Sequence, residues 1–382
     1  MGTREKLLWG INYYLYNPIN EFKQHGDFMR KKYLGSLLLI SSVALSFNAN
    51  AAERGFAYVS NQEGGVSVIN LDSMEVESNI DIQAKSPRGI GVTADGKLLI
   101  TANKDSENIA VIDRATGQLI KHIPVGKNPE FVRVFKNFAF ISTEPASTGK
   151  PPAAPGEAQK EDDDDDKIPA KIAVVDLKKG KKVREITGGP ETEGLEFSAD
   201  GKKLIVTNEA DNTITVHNLN TGKLLKTIPT KEYGERPRGI KVSPDGKFYV
   251  STLEYGNKFI VLDKNFKVIK EVPTGQAPYG ISFDSKGDYI FVATAKDKQM
   301  QVFDAKTFEK VKDIATGNRC WHFSFTPDDK EILLACGKSN AVLVIDVEKA
   351  EKTKEIADKE IPWGVVTYPK SVGSLDKPET KK

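Results

Sequence analysis

PRGIGVTADGKLLITANKDSENIAVIDRATGQLIKHIPVG, residues Pro87–Gly126, is the stretch that decides the fold. It predicts four short strands, Gly89–Ala94, Leu98–Asn103, Asn108–Asp113 and Gln118–Val125, because Val, Ile and Leu partly alternate with polar residues. Asp-Gly and Thr-Gly steps between the strands tolerate the positive φ that tight hairpins need. One such meander cannot bury its apolar faces alone, so the stretch predicts that the unit is repeated.

The start of this unit does recur along the chain. It occurs as PRGI at Pro87, PEFV at Pro129, TEGL at Thr192, PRGI at Pro237, PYGI at Pro278, CWHF at Cys320 and PWGV at Pro362. The steps are 42, 63, 45, 41, 42 and 42 residues, and the two longest steps contain insertions. A period near 42 residues with four strands per unit is typical of a β-propeller with one blade per repeat.

The repeat count predicts seven blades. Six of them run from Pro87 to about Glu360, whereas Gly55–Lys85 supplies only three strands and Pro362–Pro369 only one. We expect the two ends to build the last blade together, because this closes the ring without an exposed edge. The fold class is therefore all-β, a seven-bladed propeller of four antiparallel strands per blade over residues 55–370.

The N-terminal region carries an export signal. Residues 29–51 have a basic start, an apolar run and a small-residue end (Ala49-Asn50-Ala51), which is the pattern of a secretory signal peptide. We favour cleavage after Ala51, with Ala52 as the neighbouring choice. The apolar run Leu37–Phe47 is too short for a transmembrane helix. For residues 1–28 we favour an over-extended gene start over a cytoplasmic extension on an uncleaved anchor. We expect a periplasmic, monomeric mature protein without a membrane span.

Net charge bears on the possible partners, and the two cysteines bear on whether the protein contains a disulfide. The formal net charge of +2 gives no strong field that would attract nucleic acid or an anionic membrane. The two cysteines, Cys320 and Cys336, fit an oxidising compartment in which a disulfide is possible. An ideal hairpin register places Trp321 rather than Cys320 opposite Cys336, and side chains alternate across a strand. We therefore favour two small buried apolar residues over a disulfide.

Two segments lie outside the repeat pattern. Residues 144–170 interrupt the repeat that begins at Pro129 with Pro, Ala and Gly and the acidic run Asp162–Asp166, a composition that predicts a disordered surface loop. The alternative is an acidic arm that holds a cation or docks on a basic partner, although the run lacks the spaced ligands of an EF-hand. The polar tail, residues 371–382, is predicted to be disordered.

No catalytic or cofactor motif is present. The sequence lacks GxSxG, HExxH, CxxCH, a P-loop and a GxGxxG that opens a helix. Its four histidines are scattered over the chain, which argues against a dense histidine metal site. We assign no cofactor and no metal ligands, and no motif supports PQQ or a divalent metal.

The residue after each recurring proline predicts a binding site. These residues begin the innermost strands and should ring one mouth of the central channel; they are Arg88, Glu130, Glu193, Arg238, Tyr279, Trp321 and Trp363. Four blades give charged residues and three give aromatics, which is the composition of a ligand pocket or a protein-binding hot spot. His322 is a minor candidate beside them. The alternative is that neighbouring charges pair, Arg88 with Glu130 and Glu193 with Arg238, while the aromatics cap the core.

The repeats resemble the YVTN family of β-propeller repeats. The resemblance rests on YVSN (Tyr58–Asn61), IVTN (Ile205–Asn208), the DGK turns, the VID-type third strands, and TGK (Thr221–Lys223) with the IPVG and PTG ends. The order PRG, PE, EG, PR is similar to exported seven-repeat members linked to quinoprotein (PQQ-dependent) alcohol catabolism. This likeness implies an accessory binding protein of the periplasm.

Three functions remain open on the sequence. We favour a non-enzymatic propeller that binds a small molecule or a protein partner at the channel mouth, where arginines meet anionic groups and tryptophans stack on planar surfaces. The second is a lactonase-like hydrolase, since lactonases share this repeat type; Glu130 or Glu193 would then need a raised pKa to act as a general base. The third is a structural or assembly scaffold that uses its rim.

Overall fold

The computed structural model describes residues 54–145, 168–357 and 360–377. These residues form 29 strands in seven sheets. The strands are β1 (Phe56–Asn61), β2 (Val66–Asn70), β3 (Glu75–Ile80), β4 (Pro87–Val92), β5 (Leu98–Asn103), β6 (Asn108–Asp113), β7 (Leu119–Pro124), β8 (Pro129–Phe135), β9 (Phe138–Thr143), β10 (Lys171–Asp176), β11 (Lys181–Thr187), β12 (Thr192–Phe197), β13 (Lys203–Asn208), β14 (Thr213–Asn218), β15 (Leu224–Pro229), β16 (Pro237–Val242), β17 (Phe248–Leu253), β18 (Lys258–Asp263), β19 (Val268–Pro273), β20 (Pro278–Phe283), β21 (Tyr289–Thr294), β22 (Gln299–Asp304), β23 (Lys310–Ala315), β24 (Cys320–Phe325), β25 (Glu331–Cys336), β26 (Ala341–Asp346), β27 (Glu351–Ala357), β28 (Pro362–Tyr368) and β29 (Val372–Gly373).

Each sheet is one blade of a seven-bladed propeller. Blades 1 to 6 are the consecutive strand groups that begin with β4, β8, β12, β16, β20 and β24, and blade 7 consists of β28, β1, β2 and β3. The innermost strands contact one another in order, and β28 contacts β4, so the ring is closed. Blade 7 pairs the two ends of the chain, with Val59 opposite Val365 in the antiparallel register of β1 and β28. The predicted fold class and the predicted closure are confirmed.

The first residue of each repeat follows a backbone corner. The residue before the recurring position has φ between 48° and 59° in all seven blades, a left-handed conformation that is uncommon for residues other than glycine. Directly after this corner, the innermost strand carries a register shift in blades 1 to 6, for example between Pro237 and Ile240. Such bulges re-aim side chains, and in these six blades they fall at the second and third residues of the innermost strand, beside the channel mouth.

Burial follows the position of a strand in its blade. The second strands, such as β5 and β13, bury five of six residues, whereas the outermost strand β3 exposes five of six. The central strands are covered on both faces by the neighbouring blades, which explains their near-continuous apolar runs. The core therefore lies between the blades.

The bulge also corrects the prediction for the two cysteines. We expected two free thiols because an ideal register places Trp321 opposite Cys336. The bulge between Cys320 and Phe323 shifts the register by one residue, so that Cys320 lies opposite Cys336, and the two residues form a disulfide. The expectation of free cysteines is wrong for this physical reason.

Two further predictions differ from the structure at their edges. Residues 371–382 were predicted to be disordered, but Val372–Gly373 form a fifth strand on β24 in blade 6, because the backbone groups of β24 pair with them. Residues 144–170 were assigned to a surface loop, yet Glu144 and Ala170 are buried. The rest of that insertion (residues 146–167), the predicted signal peptide (residues 29–51) and residues 1–28 lie outside the described residues.

Candidate active site

The seven predicted mouth residues lie at one end of the channel, where the innermost strands begin. We call this end the first mouth and the opposite end, where these strands finish, the second mouth. Glu130, Glu193 and Tyr279 are buried, whereas the arginine side chains are 13–20% exposed. The structure thus brings the charged residues of blades 1 to 4 and Tyr279 of blade 5 together.

Both ion pairs that the alternative interpretation expected are present. Arg88 contacts Glu130, and its Nε also donates to Gln62 Oε1 over 3.1 Å. Arg238 Nη1 lies 3.4 Å from Glu193 Oε2. Glu130 keeps one buried oxygen, Oε2, without a hydrogen-bond partner among the described residues. Pairing therefore accounts for these charges only in part.

The aromatic side of the predicted ring is less accessible than expected. Trp363 is only 2% exposed, and its ring centroid lies 4.3 Å from that of His322. Phe131 and Tyr279 flank the same imidazole at 5.3 Å, which gives a buried aromatic layer below the first mouth. We call these four residues the aromatic layer. Trp321 packs instead against Gly337, where a Cβ would lie 2.0 Å from the indole.

Three glutamates at this mouth were missed by the sequence analysis. Glu144, Glu209 and Glu254 each directly follow the second strand of blades 2, 3 and 4 and are buried. The signal was available, because the second strands end as FISTE, IVTNE and VSTLE at equivalent repeat positions. The sequence analysis considered only the residue after the recurring proline and so overlooked this second ring.

Arg238 is the centre of the charge network. It contacts Glu209 Oε1 through Nη1, and its Nε donates to Glu254 Oε2 over 2.7 Å. Its guanidinium also lies over the ring of Tyr279, 4.7 Å from the centroid. Burial raises the pKa of Glu254, but the charges of Arg238 and Arg236 outweigh this effect and lower the pKa below its ordinary value.

Arg236 supplies the second cation and lies at the backbone corner before β16. Its Nη2 contacts Glu209 Oε2, and its Nη1 lies 3.3 Å from Glu191 Oε2. Both oxygens of Glu209 are therefore held by arginines. Such charge-assisted pairs fix the carboxylate in position.

A compact carboxyl cluster lies next to these arginines. Glu144, Glu193 and Glu209 each place a carboxyl oxygen within 4.8 Å of the others. Like charges this close cannot all ionise in a buried site. Burial, together with the charges of Glu193 and Glu191, raises the pKa of Glu144 to about 8. Burial also raises the pKa of Glu209, against the opposing effect of Arg236 and Arg238.

Hydrogen bonds orient two members of this carboxyl cluster. Asn128 Nδ2 donates to Glu144 Oε2 over 3.1 Å, and the backbone N–H of Glu144 donates to the Asn128 carbonyl over 3.0 Å. The Tyr279 hydroxyl donates to Glu193 Oε1, and burial raises the pKa of Tyr279, so this hydroxyl keeps its proton. The cluster is thus held in one geometry by neighbouring side chains.

The donor set of the carboxyl cluster bears on metal binding. Three carboxylates are ligands that a hard divalent cation accepts, and they are the single group of this kind in the described part of the chain. However, Arg236 and Arg238 already hold both oxygens of Glu209, and Tyr279 donates to Glu193. This arrangement fits carboxyl groups that share protons better than a ligand set for a cation.

Comparisons with known proteins identify the class. The family model "Lactonase, 7-bladed beta-propeller" matches residues 50–134 and 195–316, which is more than half of the chain. The chain therefore belongs to the lactonase family of seven-bladed β-propellers.

Individual relatives are more distant. Antigen Lp49 of Leptospira interrogans is 24% identical over 257 residues, which cover 63% of this chain and 53% of that protein; the chain thus spans about half the length of this curated relative. A "putative 6-phosphogluconolactonase" from Bacteroides fragilis superposes with a TM-score of 0.66 at 17% identity, covering 83% of this chain and 98% of that one. Hydrazine synthase from Kuenenia stuttgartiensis gives 0.64 at 19% identity, with coverages of 78% and 94%. At these identities the structures agree in fold.

Family membership corrects the predicted function. We favoured a non-enzymatic binding or accessory protein because no catalytic motif was visible; the match to the lactonase family overturns this and favours the hydrolase that we had placed second. The YVTN-type repeat, the link to PQQ-dependent catabolism, the monomeric state and the periplasmic location stay predictions. No helix in the described part of the chain has the length and apolar character of a membrane span.

Proposed function

We propose that this chain is a lactone hydrolase whose active site is the first mouth. The observation that carries the proposal is Glu144, a buried carboxyl group with a pKa of about 8 beside Glu193 and Glu209. A base is most effective when its pKa lies near the working pH. Strongly perturbed carboxyl groups in a cleft mark candidate catalytic sites, and the family to which the chain belongs supports this chemistry.

Glu144 acts as the general base. A water molecule attacks the carbonyl carbon of the lactone while the Glu144 carboxylate takes one of its protons. The hydrogen bond from Asn128 Nδ2 to Oε2 holds the carboxyl group, and we assign the proton transfer to the other oxygen, Oε1. The other buried carboxyls keep Glu144 basic, because a second negative charge beside them is unfavourable.

Cations near Glu144 stabilise the negative charge that develops. The tetrahedral intermediate carries an oxyanion on the former carbonyl oxygen. Arg88 lies close enough to Glu144 to favour the charged form of that carboxyl group. Lys104 lies near Arg88, and burial first, and then the charge of Arg88, lower the pKa of Lys104. Preorganised donors of this kind contribute strongly to acyl transfer. We assign oxyanion stabilisation to Arg88, with Lys104 beside it.

Collapse of the intermediate completes the reaction. The bond between the carbonyl carbon and the ring oxygen breaks, and the ring oxygen takes back the proton that Glu144 had accepted. Water and lactone thereby give one hydroxy acid, and the enzyme returns to its starting state. Arg236 and Arg238 hold Glu209 and Glu254 throughout and take no part in proton transfer.

The substrate class that we propose is a sugar lactone. A 6-phosphogluconolactonase is the activity named for a fold relative, and the polar lining of the first mouth offers several groups for substrate hydroxyls. A lactone is also the product when a cyclic hemiacetal loses two hydrogens. A lactone hydrolase would therefore follow an exported quinoprotein oxidation, which is the context that the repeat resemblance predicts.

Titration of released acid at constant pH tests the proposal. Gluconolactone, 6-phosphogluconolactone and simple γ- and δ-lactones are the substrates, and spontaneous hydrolysis is subtracted. We expect turnover whose kcat/KM rises with pH around an apparent pKa of about 8. Glu144→Gln should lower kcat about 100-fold or more, whereas the exposed rim residue Glu63, as Glu63→Gln, should leave it unchanged. Full activity of Glu144→Gln, or no turnover of any lactone, would refute the proposal.

A further inference from the structure

The C-terminal segment enters the channel from the second mouth. Val372 and Gly373 pair antiparallel with Phe325 and Ser324, the last two residues of β24. The innermost strands finish at this end, so the segment lies opposite the first mouth and its carboxyl cluster. Ser374 and Leu375 continue inward and are 3% and 1% exposed. Residues 372–376, which we call the plug, thus occupy the second mouth.

The plug is recognised through specific positions. A Cβ on Gly373 would lie 2.1 Å from the Phe323 carbonyl oxygen, so this position excludes any larger residue. The hydroxyl of Ser374 accepts from the Phe323 N–H over 2.9 Å and lies 3.1 Å from His322 Nδ1. Leu375 fills the space beside Gly364, where a Cβ would come within 2.9 Å of the leucine.

Two buried cations lie next to the plug. Lys241 is 0% and Arg133 1% exposed, and they share Glu196, whose Oε2 lies 3.6 Å from Lys241 Nζ and 3.1 Å from Arg133 Nη2. Lys241 Nζ and Arg133 Nη1 have no hydrogen-bond partner among the described residues. Burial first, and then the charge of Arg133, lower the pKa of Lys241 well below its ordinary value, whereas Glu196 and Asp376 favour its charged form. A second carboxylate beside this pair therefore helps to keep Lys241 charged.

Asp376 of the plug brings that carboxylate. Its carboxyl group accepts from Ser371 Oγ over 2.6 Å. Burial raises the pKa of Asp376, while Lys241 and Arg133 favour its charged form. The plug therefore combines a β-strand contact, one position for glycine, one hydroxyl, one buried aliphatic residue and one carboxylate.

We propose that the second mouth is a binding site for an extended peptide of the pattern Gly-Ser-aliphatic-Asp, filled in this structure by the chain's own plug, and that it accepts the same segment from a second copy of the chain. Strand addition gives affinity through backbone hydrogen bonds, and pockets for alternate side chains give selectivity. Because the plug is tethered by a short connection, its effective concentration is on the order of millimolar, and it competes strongly with any segment offered in trans.

Fluorescence polarisation with a labelled peptide tests this site. The probe is the peptide SVGSLDKPETKK, residues 371–382, and the protein is the full chain. Weakening the tethered plug with Ser374→Ala and Asp376→Asn should free the site, so this variant should bind the probe at least about tenfold more tightly than the unaltered chain. A probe with Val in place of Gly373 should not bind, and a probe with Asn in place of Asp376 should bind weakly. Lys241→Met in the double variant should abolish binding.

Three results would overturn the proposal. They are no binding of the probe to the double variant, equal binding of the Val-substituted probe, and loss of the folded state when the plug is weakened. Circular dichroism melting of each variant identifies the last case, in which the plug is an inseparable part of the propeller rather than a ligand of it. The measurement uses no lactone, so its outcome is independent of the proposed hydrolase activity.

Discussion

Replacing Glu144 by Gln should change how the stability of the propeller depends on pH. Glutamine mimics the neutral carboxyl group and can still accept the hydrogen bond from Asn128 Nδ2. In the unaltered protein the pKa of Glu144 rises from 4.5 to about 8 on folding. The folded state therefore binds more protons than the unfolded state between these values, and stability falls as the pH rises through this window.

The magnitude follows from the size of the pKa shift. At about 1.36 kcal/mol per pKa unit, the full effect is about 5 kcal/mol, of which about 4 kcal/mol develops between pH 5 and pH 9. Glu144→Gln removes this loss. The variant should be close to the unaltered protein in stability at pH 5 and about 4 kcal/mol more stable at pH 9.

Urea denaturation at five pH values from 5 to 9 measures this difference. Groups outside the carboxyl cluster are common to both proteins, so the difference in free energy of unfolding reports Glu144 together with the cluster members that its charge affects, provided that the urea dependence is the same. Glu63→Gln, at an exposed rim position, is the matched control and should run parallel to the unaltered protein. A difference between Glu144→Gln and the unaltered protein that does not change with pH would refute the reasoning.

Three further predictions concern the architecture. Deletion of Pro362–Lys382 removes β28 from blade 7 and should destabilise the whole domain, as measured by a single lowered melting transition. Cys320→Ser removes the disulfide, which closes a loop of about 15 residues, and should cost about 3 kcal/mol in urea denaturation. Glu196→Gln leaves Arg133 and Lys241 buried without their shared carboxylate and should cost about 3–5 kcal/mol in the same assay.

Each of these predictions has a matched control. A chain shortened only by the undescribed residues 378–382 should melt like the full chain. For the disulfide, reducing agent should destabilise the unaltered protein but not Cys320→Ser; equal sensitivity of both would contradict the assignment. Glu309→Gln, at an exposed position, should be neutral, and a Glu196→Gln variant that is equally neutral would mean that the two cations do not depend on that carboxylate.

The ring architecture was predictable because repetition fixes it. A recurring first tetrapeptide, Asp-Gly turns and VID-type third strands each report local structure, and their spacing gives the blade count. The closure of blade 7 followed from counting strands at the two ends. The disulfide did not follow from the sequence, because the register shifts by one residue at a bulge after Cys320, and an ideal antiparallel register contains no bulge.

About half of the charged residues of the candidate site could be predicted from the sequence. Positional logic found Arg88, Glu193 and Arg238, because one repeat position was followed around the ring. The same logic applied to the residue after each second strand would have found Glu144 and Glu209. It could not have found their proximity, since the carboxyl oxygens meet only through side-chain conformations across the channel, and the raised pKa of Glu144 arises from burial there.

The aromatic layer separates two charged regions of the channel. Above it lie the carboxyl cluster and Arg238, and below it lie Arg133 and Lys241. His322 stands between them; burial first, and then Arg133, Lys241 and Arg238, lower its pKa well below the ordinary value, so this imidazole is neutral at neutral pH. The aromatic layer and the filled second mouth leave the first mouth as the route by which the lactone of our proposal would enter. The carboxyl cluster lies at the first mouth and the two basic side chains lie beside the plug, which is why the catalytic proposal depends on Glu144 and the peptide proposal on Lys241 and Arg133.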